Sequence, residues 1–147
     1  MWSVVVVGTD GSETAGTAVD QAAELAALAG ARLLVVSAFA PVSAGRLQAE
    51  AQEAPGDVEW MVHEREEVDA TLADAAEIAA RRGVQAEGFA RRGDPADAIL
   101  DVAEEQGADL IVVGNKGMTG AKRFLLGSVP NRVSHHAPCS VLIIRTT

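Results

Sequence analysis

The chain has one cysteine, no stretch of about 18 apolar residues, and no acidic residue after Asp109. A lone cysteine, Cys139, cannot form an internal disulfide, so the fold makes no demand for an oxidising compartment. The apolar run near the N-terminus is short and no basic region precedes it. We therefore expect neither a signal peptide nor a membrane span, and predict a cytoplasmic protein.

The missing acids divide the chain by charge. The formal charge is −14 through Asp109 and +5 over the last 38 residues, which gives the net charge of −9. Both lysines, Lys116 and Lys122, lie in the positive part. The acidic balance argues against a protein that coats nucleic acid or an anionic membrane, so an anionic ligand would have to be bound locally.

Apolar runs alternate with helical patterns along the whole chain, and a length of 147 residues predicts one domain over residues 1–147. The predicted strands are Val4–Val7, Arg32–Ser37, Gln85–Ala90, Asp109–Val113 and Ser140–Arg145. The predicted helices run from an N-cap at Ser12 to Gly30, from about Val58 to Arg82, from an N-cap at Asp94 through Pro95 to Gln106, and from near Ser128 to before Pro138. Such alternation predicts a three-layer α/β/α fold with a mostly parallel sheet.

Two predicted connections, Pro41–Asp57 and Asn115–Leu126, are longer than the few residues usual in such folds. Both follow the carboxyl ends of strands, where open α/β sheets bind ligands. The second contains the lysines and several glycines, and it leads into the helix that begins near Ser128. A helix N-terminus offers free N–H groups and about half a positive charge, which favours phosphate. The alternative is that these glycines only permit turns and Ser128 only caps the helix.

The familiar phosphate-binding patterns, Gly-x-x-x-x-Gly-Lys-Ser/Thr and Gly-x-Gly-x-x-Gly after the first strand, are absent. Instead, Gly114-x2-Gly117-x9-Gly127-Ser128 resembles the nucleotide loop of the ATP-binding universal stress proteins. The resemblance extends over the full chain. It includes Val6–Ser12, Gly93–Ile99, Ala108–Gly114 and Cys139–Arg145.

This resemblance implies a Rossmann-like, five-stranded parallel sheet in the order 3-2-1-4-5. It also implies ATP or another adenine nucleotide at the ends of strands one and four, with Mg²⁺ carried by the phosphates. Asp10 would then bind the ribose hydroxyls, while the backbone near Gly8 and Ala38 frames the adenine. Without the resemblance, Asp10 reads as a turn residue that satisfies local amides. The nucleotide-binding residues expected on this basis are Gly8, Thr9, Asp10, Ala38, Val113, Gly114, Asn115, Gly117, Gly127, Ser128, Val129 and Pro130.

Pro130 departs from the family pattern, in which a serine or threonine often occupies this position. Proline has neither a hydroxyl nor an N–H group, so one phosphate contact is lost. The loss of a phosphate contact lowers the affinity for a triphosphate more than that for a monophosphate. Cyclic AMP or AMP is therefore an alternative ligand.

Three further groups of residues have competing interpretations. Lys116, Lys122 and Arg123 either screen the phosphates or are ordinary solvated charges. His135, His136 and Cys139 suggest a metal site. However, adjacent residues of a helix point about 100° apart and no further ligand cluster is evident, so we expect none. Cys139 is instead expected to pack as a small apolar group.

The last predicted strand, Ser140–Arg145, lies at a sheet edge in the strand order that the resemblance implies. A bare apolar edge invites uncontrolled pairing. The resemblance implies that this strand forms a homodimer, and the alternative is that a loop of the same chain covers it.

The sequence contains no evident general base, nucleophile or metal cluster, so we expect no catalytic residues. The interpretation is a protein that signals by binding, with at most slow ATP hydrolysis. An ATP-using transferase or ligase would be expected to carry Ser-Gly-Gly-x-Asp-Ser after strand one or His-Ile-Gly-His, and both are missing.

Overall fold

The structure is a computed structural model that describes residues 1–39, 57–115 and 128–146, without the side chains of residues 57–66. Strands and helices alternate through these residues as the sequence predicts. In chain order they are β1 (Val4–Gly8), α1 (Glu13–Ala29), β2 (Arg32–Phe39), α2 (Asp57–Arg81), β3 (Ala86–Arg92), α3 (Pro95–Gln106), β4 (Leu110–Gly114), α4 (Ser128–His136) and β5 (Ser140–Ile144).

The helix ends follow from local chemistry. Ser12 caps α1 by accepting a hydrogen bond from the N–H of Ala15, and Asp94 caps α3 with Pro95 in its first turn. Gly30 ends α1 with a φ of 66°, a left-handed conformation that glycine adopts without steric cost. These three predicted boundaries are confirmed.

The five strands form one parallel sheet in the order β3-β2-β1-β4-β5. This confirms the fold class and the strand order. The order reverses between β1 and β4, so the carboxyl ends of these two strands flank the topological switch point. β2 and β3 extend further than predicted, because their ladder continues past the apolar run to the pair Phe39 and Arg92.

The sheet is covered on both faces. Val5, Val7, Leu33 and Val35 pack on the side of α1 and α2. The alternating residues of the same strands, such as Val6 and Leu34, pack on the side of α3 and α4. Because β1 is buried on both faces, its side chains form the continuous apolar run that predicted a central strand.

β5 lies at one edge of the sheet and pairs with β4. Leu142 and Ile143 remain 37% and 38% exposed. The edge position predicted for this strand is confirmed. No helix among residues 1–39, 57–115 and 128–146 combines the length and hydropathy needed to cross a membrane.

Candidate functional site

Most of the predicted site residues lie at the carboxyl edge of the sheet. Gly8 and Gly114 end β1 and β4, Ala38 is next to last in β2, and Ser128 begins α4. The remaining site residues that the structure describes lie next to these four. They are Thr9 and Asp10 after β1, Val113 and Asn115 on either side of Gly114, and Val129 and Pro130 after Ser128. Gly117, Gly127, Lys116, Lys122 and Arg123 lie outside the described residues.

A small pocket of about 20 Å³ separates the ends of β1 and β4 from the N-termini of α1 and α4. Its volume matches about one water molecule. Glycines and small side chains make up most of its wall, so a ligand in the pocket could approach the backbone closely. We call it the small-residue pocket, and it is lined by Gly8, Thr14, Ala15, Val113, Gly114, Val129 and Thr146.

Beside this pocket, the turn after β1 is held by its own side chains. Thr9 is 3% exposed, and its Oγ1 accepts a hydrogen bond of 3.1 Å from the N–H of Gly11. Asp10 Oδ1 accepts one of 2.9 Å from the N–H of Ser12. A carboxylate has about four acceptor positions, so the turn role of Asp10 leaves capacity for a ligand. Both interpretations of Asp10 are therefore compatible with this geometry.

Gly11 shows why this turn adopts one conformation. Its φ is 84°, and an added Cβ would lie 2.7 Å from Thr71 Oγ1 of α2. A side chain at this position would therefore meet both backbone strain and the wall of α2. The absence of a side chain at Gly11 therefore lets the turn that presents Asp10 approach α2 closely.

Asn115 ties the end of β4 to the residue after β5. Its Oδ1 accepts hydrogen bonds from the N–H and the Oγ1 of Thr146, at 2.8 and 3.1 Å, and its own N–H donates to the carbonyl of Ile144. Because Oδ1 is the acceptor of a backbone N–H, the amide nitrogen of Asn115 must point elsewhere. These three hydrogen bonds hold Asn115, the residue at which the glycine-rich connection begins. The sequence did not predict them.

The N-terminus of α4 is positioned by α3. Arg132 donates hydrogen bonds of 3.0 Å to Asp94 Oδ1 and 2.7 Å to Asp97 Oδ1, and Asp94 is also the N-cap of α3. Val129 and Pro130 are buried in the first turn of α4, where proline is tolerated. α4 therefore keeps its helical start despite the proline, and that start faces the edge where β1 and β4 end.

A second and larger cleft, of about 170 Å³, opens beside Asp10 between the end of β2 and α2. We call it the α2 cleft. Its lining residues are Asp10, Ser37, Ala38, Phe39, Glu67, Val68 and Thr71. Of these residues, the sequence predicts Asp10 and Ala38 as site residues and does not predict the others. A usable signal was present: Ser37 follows four apolar residues of β2, and Glu67 and Thr71 are four residues apart on one helix face.

The three residues that suggested a metal site, His135, His136 and Cys139, all lie within the described part of the chain. Cys139 is half-buried against the core on the side of α3 and α4, and this burial raises the pKa of its thiol. It packs as a small apolar group, as predicted. His135 and His136 are exposed on the last turn of α4, with ring centroids 6.5 Å apart. Within the described ranges, no group of three or more histidine, cysteine or acidic residues could hold a metal ion.

The chain is similar to universal stress proteins over nearly its whole length. The model of the universal stress protein family matches residues 1–145. Universal stress protein Rv1636 of Mycobacterium tuberculosis is 40% identical over 147 residues, which cover 99% of this chain and 98% of that protein.

Two solved structures are also similar over nearly their whole length. A universal stress protein in complex with cAMP has a TM-score of 0.74 and 35% identity, and the match covers 99% of this chain and 98% of that one. A universal stress protein from Archaeoglobus fulgidus in complex with dAMP has a TM-score of 0.70 and 29% identity, with 97% and 98% covered.

Proposed function

The chain belongs to the universal stress protein family, and we propose that it binds an adenine nucleotide across the carboxyl ends of β1 and β4 and signals by binding. In this proposal residues 1–147 act as one nucleotide-binding domain. A cytoplasmic location is part of the proposal, because a single cysteine makes no demand for an oxidising compartment.

One observation carries the proposal. The sheet order brings Asp10, the small-residue pocket and the N-terminus of α4 to one edge. Free N–H groups at a helix N-terminus favour phosphate, and a carboxylate favours the hydroxyls of a ribose. Groups suited to phosphate and a group suited to ribose therefore lie side by side, as the phosphate and ribose of a nucleotide do. The cAMP and dAMP complexes of related chains support the same ligand class.

Our first candidate ligand is ATP with Mg²⁺ carried on its phosphates. Gly114, Ser128 and the N–H of Val129 would contact phosphate oxygens, together with Gly117 and Gly127 of the glycine-rich connection. Asp10 would accept hydrogen bonds from the ribose. No residue is proposed as a general base or nucleophile, so any hydrolysis would be slow.

A monophosphate, cyclic AMP or AMP, is the second candidate, and Pro130 favours it. Proline in the first turn of α4 removes one N–H and carries no hydroxyl, so the phosphate end has fewer donors. The affinity for a triphosphate depends on these donors more than the affinity for a monophosphate does. The solved relatives with cAMP and dAMP both hold monophosphates.

We further propose that β5 pairs across a two-fold axis to form a homodimer. β5 is an edge strand, and Leu142 and Ile143 are more than one-third exposed. An uncovered apolar edge is a site for pairing with another chain. Sedimentation or light scattering would measure the mass. A monomer at all concentrations would overturn this part of the proposal alone.

Calorimetric titration of nucleotide-free protein with Mg-ATP, AMP and cyclic AMP tests the proposal. We expect saturable heat with at least one of the three, and competition between them ranks ATP against the monophosphates. The absence of heat with all three at high concentration would refute nucleotide binding. The mass of any small molecule released on denaturing the purified protein gives an independent identification.

A further inference from the structure

Thr146 forms a wall of the small-residue pocket that the sequence did not predict. Its side chain lies over Gly114, since a Cβ added to that glycine would be 3.3 Å from Thr146 Cγ2. It lines the pocket together with Gly114 and Val129, two of the residues proposed to contact the phosphates. The pocket has a volume of only about 20 Å³, so a small displacement of Thr146 would change what can bind there.

Asn115 holds Thr146 in this position. Its Oδ1 accepts hydrogen bonds from both the N–H and the Oγ1 of Thr146, and its own N–H donates to the carbonyl of Ile144, the last residue of β5. We call these three hydrogen bonds the Asn115–Thr146 link. The link joins the residue after β4 to the end of β5 and to the wall of the pocket.

The strand that leads into Thr146 is also the exposed edge of the sheet. In the described sheet β5 is hydrogen-bonded along one side, to β4, and Leu142 and Ile143 are more than one-third exposed. A strand that is held along one side opens more readily than one that is held along both. Pairing with β5 of a second copy would supply hydrogen bonds along the other side. The homodimer would therefore hold the end of β5, and with it Thr146, in place.

We propose that nucleotide binding and the pairing of β5 strengthen each other through the Asn115–Thr146 link. The inference rests on both parts of the proposed function, the nucleotide site and the homodimer. The nucleotide needs Thr146 in position and the second copy needs an ordered β5, so ordering this segment for one partner lowers the cost of binding the other. By linkage, nucleotide tightens the dimer by the same factor by which dimerisation tightens nucleotide binding.

Sedimentation equilibrium tests the coupling directly. It measures the dissociation constant of the dimer for nucleotide-free protein and for protein saturated with AMP or with Mg-ATP. We expect the dissociation constant to fall about fivefold or more when nucleotide is added. An unchanged dissociation constant, at nucleotide concentrations that calorimetry shows to be saturating, would overturn the coupling while nucleotide binding and the homodimer both stand.

A double-mutant cycle tests whether the link carries the coupling. Ile143→Lys places a charge on the exposed edge, which should leave the protein monomeric and weaken AMP binding about fivefold relative to the wild-type dimer. In an Asn115→Ala background the link is broken. There the same lysine substitution should change AMP affinity by less than about twofold, whatever the affinity of Asn115→Ala itself.

Leu28→Lys is the matched control, because it makes the same apolar-to-cationic change at a residue of α1 that is 78% exposed and remote in sequence from β5. It should keep both the mass and the AMP affinity of the wild type. Melting temperatures show whether the variants fold. If Ile143→Lys does not fold, dilution of the wild type below the dissociation constant of its dimer gives the same comparison.

The remaining outcomes separate the claims. If Ile143→Lys weakens AMP binding equally in both backgrounds, the Asn115–Thr146 link does not carry the coupling. A wild-type protein that is monomeric at all concentrations would overturn the homodimer and this inference, while nucleotide binding stands. If nucleotide-free wild-type protein binds neither AMP, cyclic AMP nor Mg-ATP, the nucleotide site fails together with this inference.

Discussion

The amino ends and the carboxyl ends of the central strands treat their polar groups in opposite ways. At the amino ends, the carboxylate of Asp109 accepts hydrogen bonds from the N–H groups of Ser3 and Val4, at 2.8 to 3.1 Å. At the carboxyl ends, the hydroxyl of Ser37 has no partner in the described chain, and Asp10 uses one oxygen for one local bond.

We infer that the amino ends contribute to stability and the carboxyl ends to ligand binding. Asp109 accepts hydrogen bonds from the N–H groups of Ser3 and Val4 at the start of β1, and these bonds form without any ligand. At the other end, Ser37 and Asp10 retain hydrogen-bonding capacity that the described residues do not use. We therefore expect changes at the amino ends to alter stability alone, and changes at the carboxyl ends to alter binding with little effect on stability.

Gly114→Val should have the largest effect on binding. The added side chain would enter the small-residue pocket and occupy the space between the ends of β1 and β4. Losing two or more charge-assisted phosphate contacts would weaken nucleotide binding on the order of 100-fold. Calorimetric titration measures the change.

The new Cβ would also lie 3.3 Å from Thr146 Cγ2, so a loss of binding could arise from strain. The double variant Gly114→Val, Thr146→Ala removes that contact and provides the control. A double variant that folds normally and binds as tightly as Thr146→Ala alone would show that phosphate does not approach Gly114.

Asp10→Asn should weaken binding about tenfold, because a hydrogen bond to a charged acceptor is replaced by one to a neutral amide. The asparagine keeps an oxygen for the N–H of Ser12, so the turn and the melting temperature should be preserved. Equal affinity in wild type and Asp10→Asn would leave the turn role as the only role of this residue.

Asp109→Asn should lower stability at neutral pH and leave nucleotide affinity unchanged. Hydrogen bonds from the N–H groups of Val4 and Ser3 hold the pKa of the Asp109 carboxyl below its ordinary value of 3.8. A depressed folded-state pKa gives stability that is present above the unfolded pKa and is lost as the pH falls through the folded pKa.

Urea midpoints of wild type and Asp109→Asn should therefore differ most near pH 7 and converge below pH 3.8, as Asp109 becomes protonated in both states of the wild type. A gap that stays constant down to the acid limit would mean that the charge of Asp109 is not what stabilises β1. A change in nucleotide affinity would contradict the separation of the two ends.

Arg82→Met should have the smallest effect. Arg82 pairs with Asp20 between α2 and α1, and a hydrogen bond from Arg82 lowers the pKa of Asp20. Both side chains are at least 37% exposed, and solvent screens such pairs strongly. The urea midpoint and the nucleotide affinity should both stay close to those of the wild type; a large shift in either would show that this surface pair matters to the α1–α2 packing.

The sequence predicted what depends on short-range pattern. The N-caps at Ser12 and Asp94, the stop at Gly30 and the burial of β1 follow from residue type and spacing alone, and all are confirmed. The strand order came from the family resemblance and is also confirmed. The predicted loop 41–57 lies largely outside the described residues, as do most residues of the second long connection.

The features that escaped prediction join residues far apart in the chain. Asn115 and Thr146 are 31 positions apart, and Ser37 and Glu67 line one cleft only because α2 packs beside β2. Their contacts depend on side-chain positions that no local period encodes. Asp10 shows the same distinction. Its hydrogen bond with the N–H of Ser12 is predictable from the turn sequence, whereas only the structure shows that its second carboxylate oxygen forms no hydrogen bond within the described residues.

Chemical-shift mapping of backbone amides during an AMP titration distinguishes the two ends of the strands residue by residue. We expect the shifts to concentrate at the carboxyl ends, including Gly8, Ala38 and Val129, while the amides of Ser3 and Val4 stay unchanged. Shifts confined to the amino ends, or saturable binding that leaves the amides of the carboxyl ends unmoved, would contradict it.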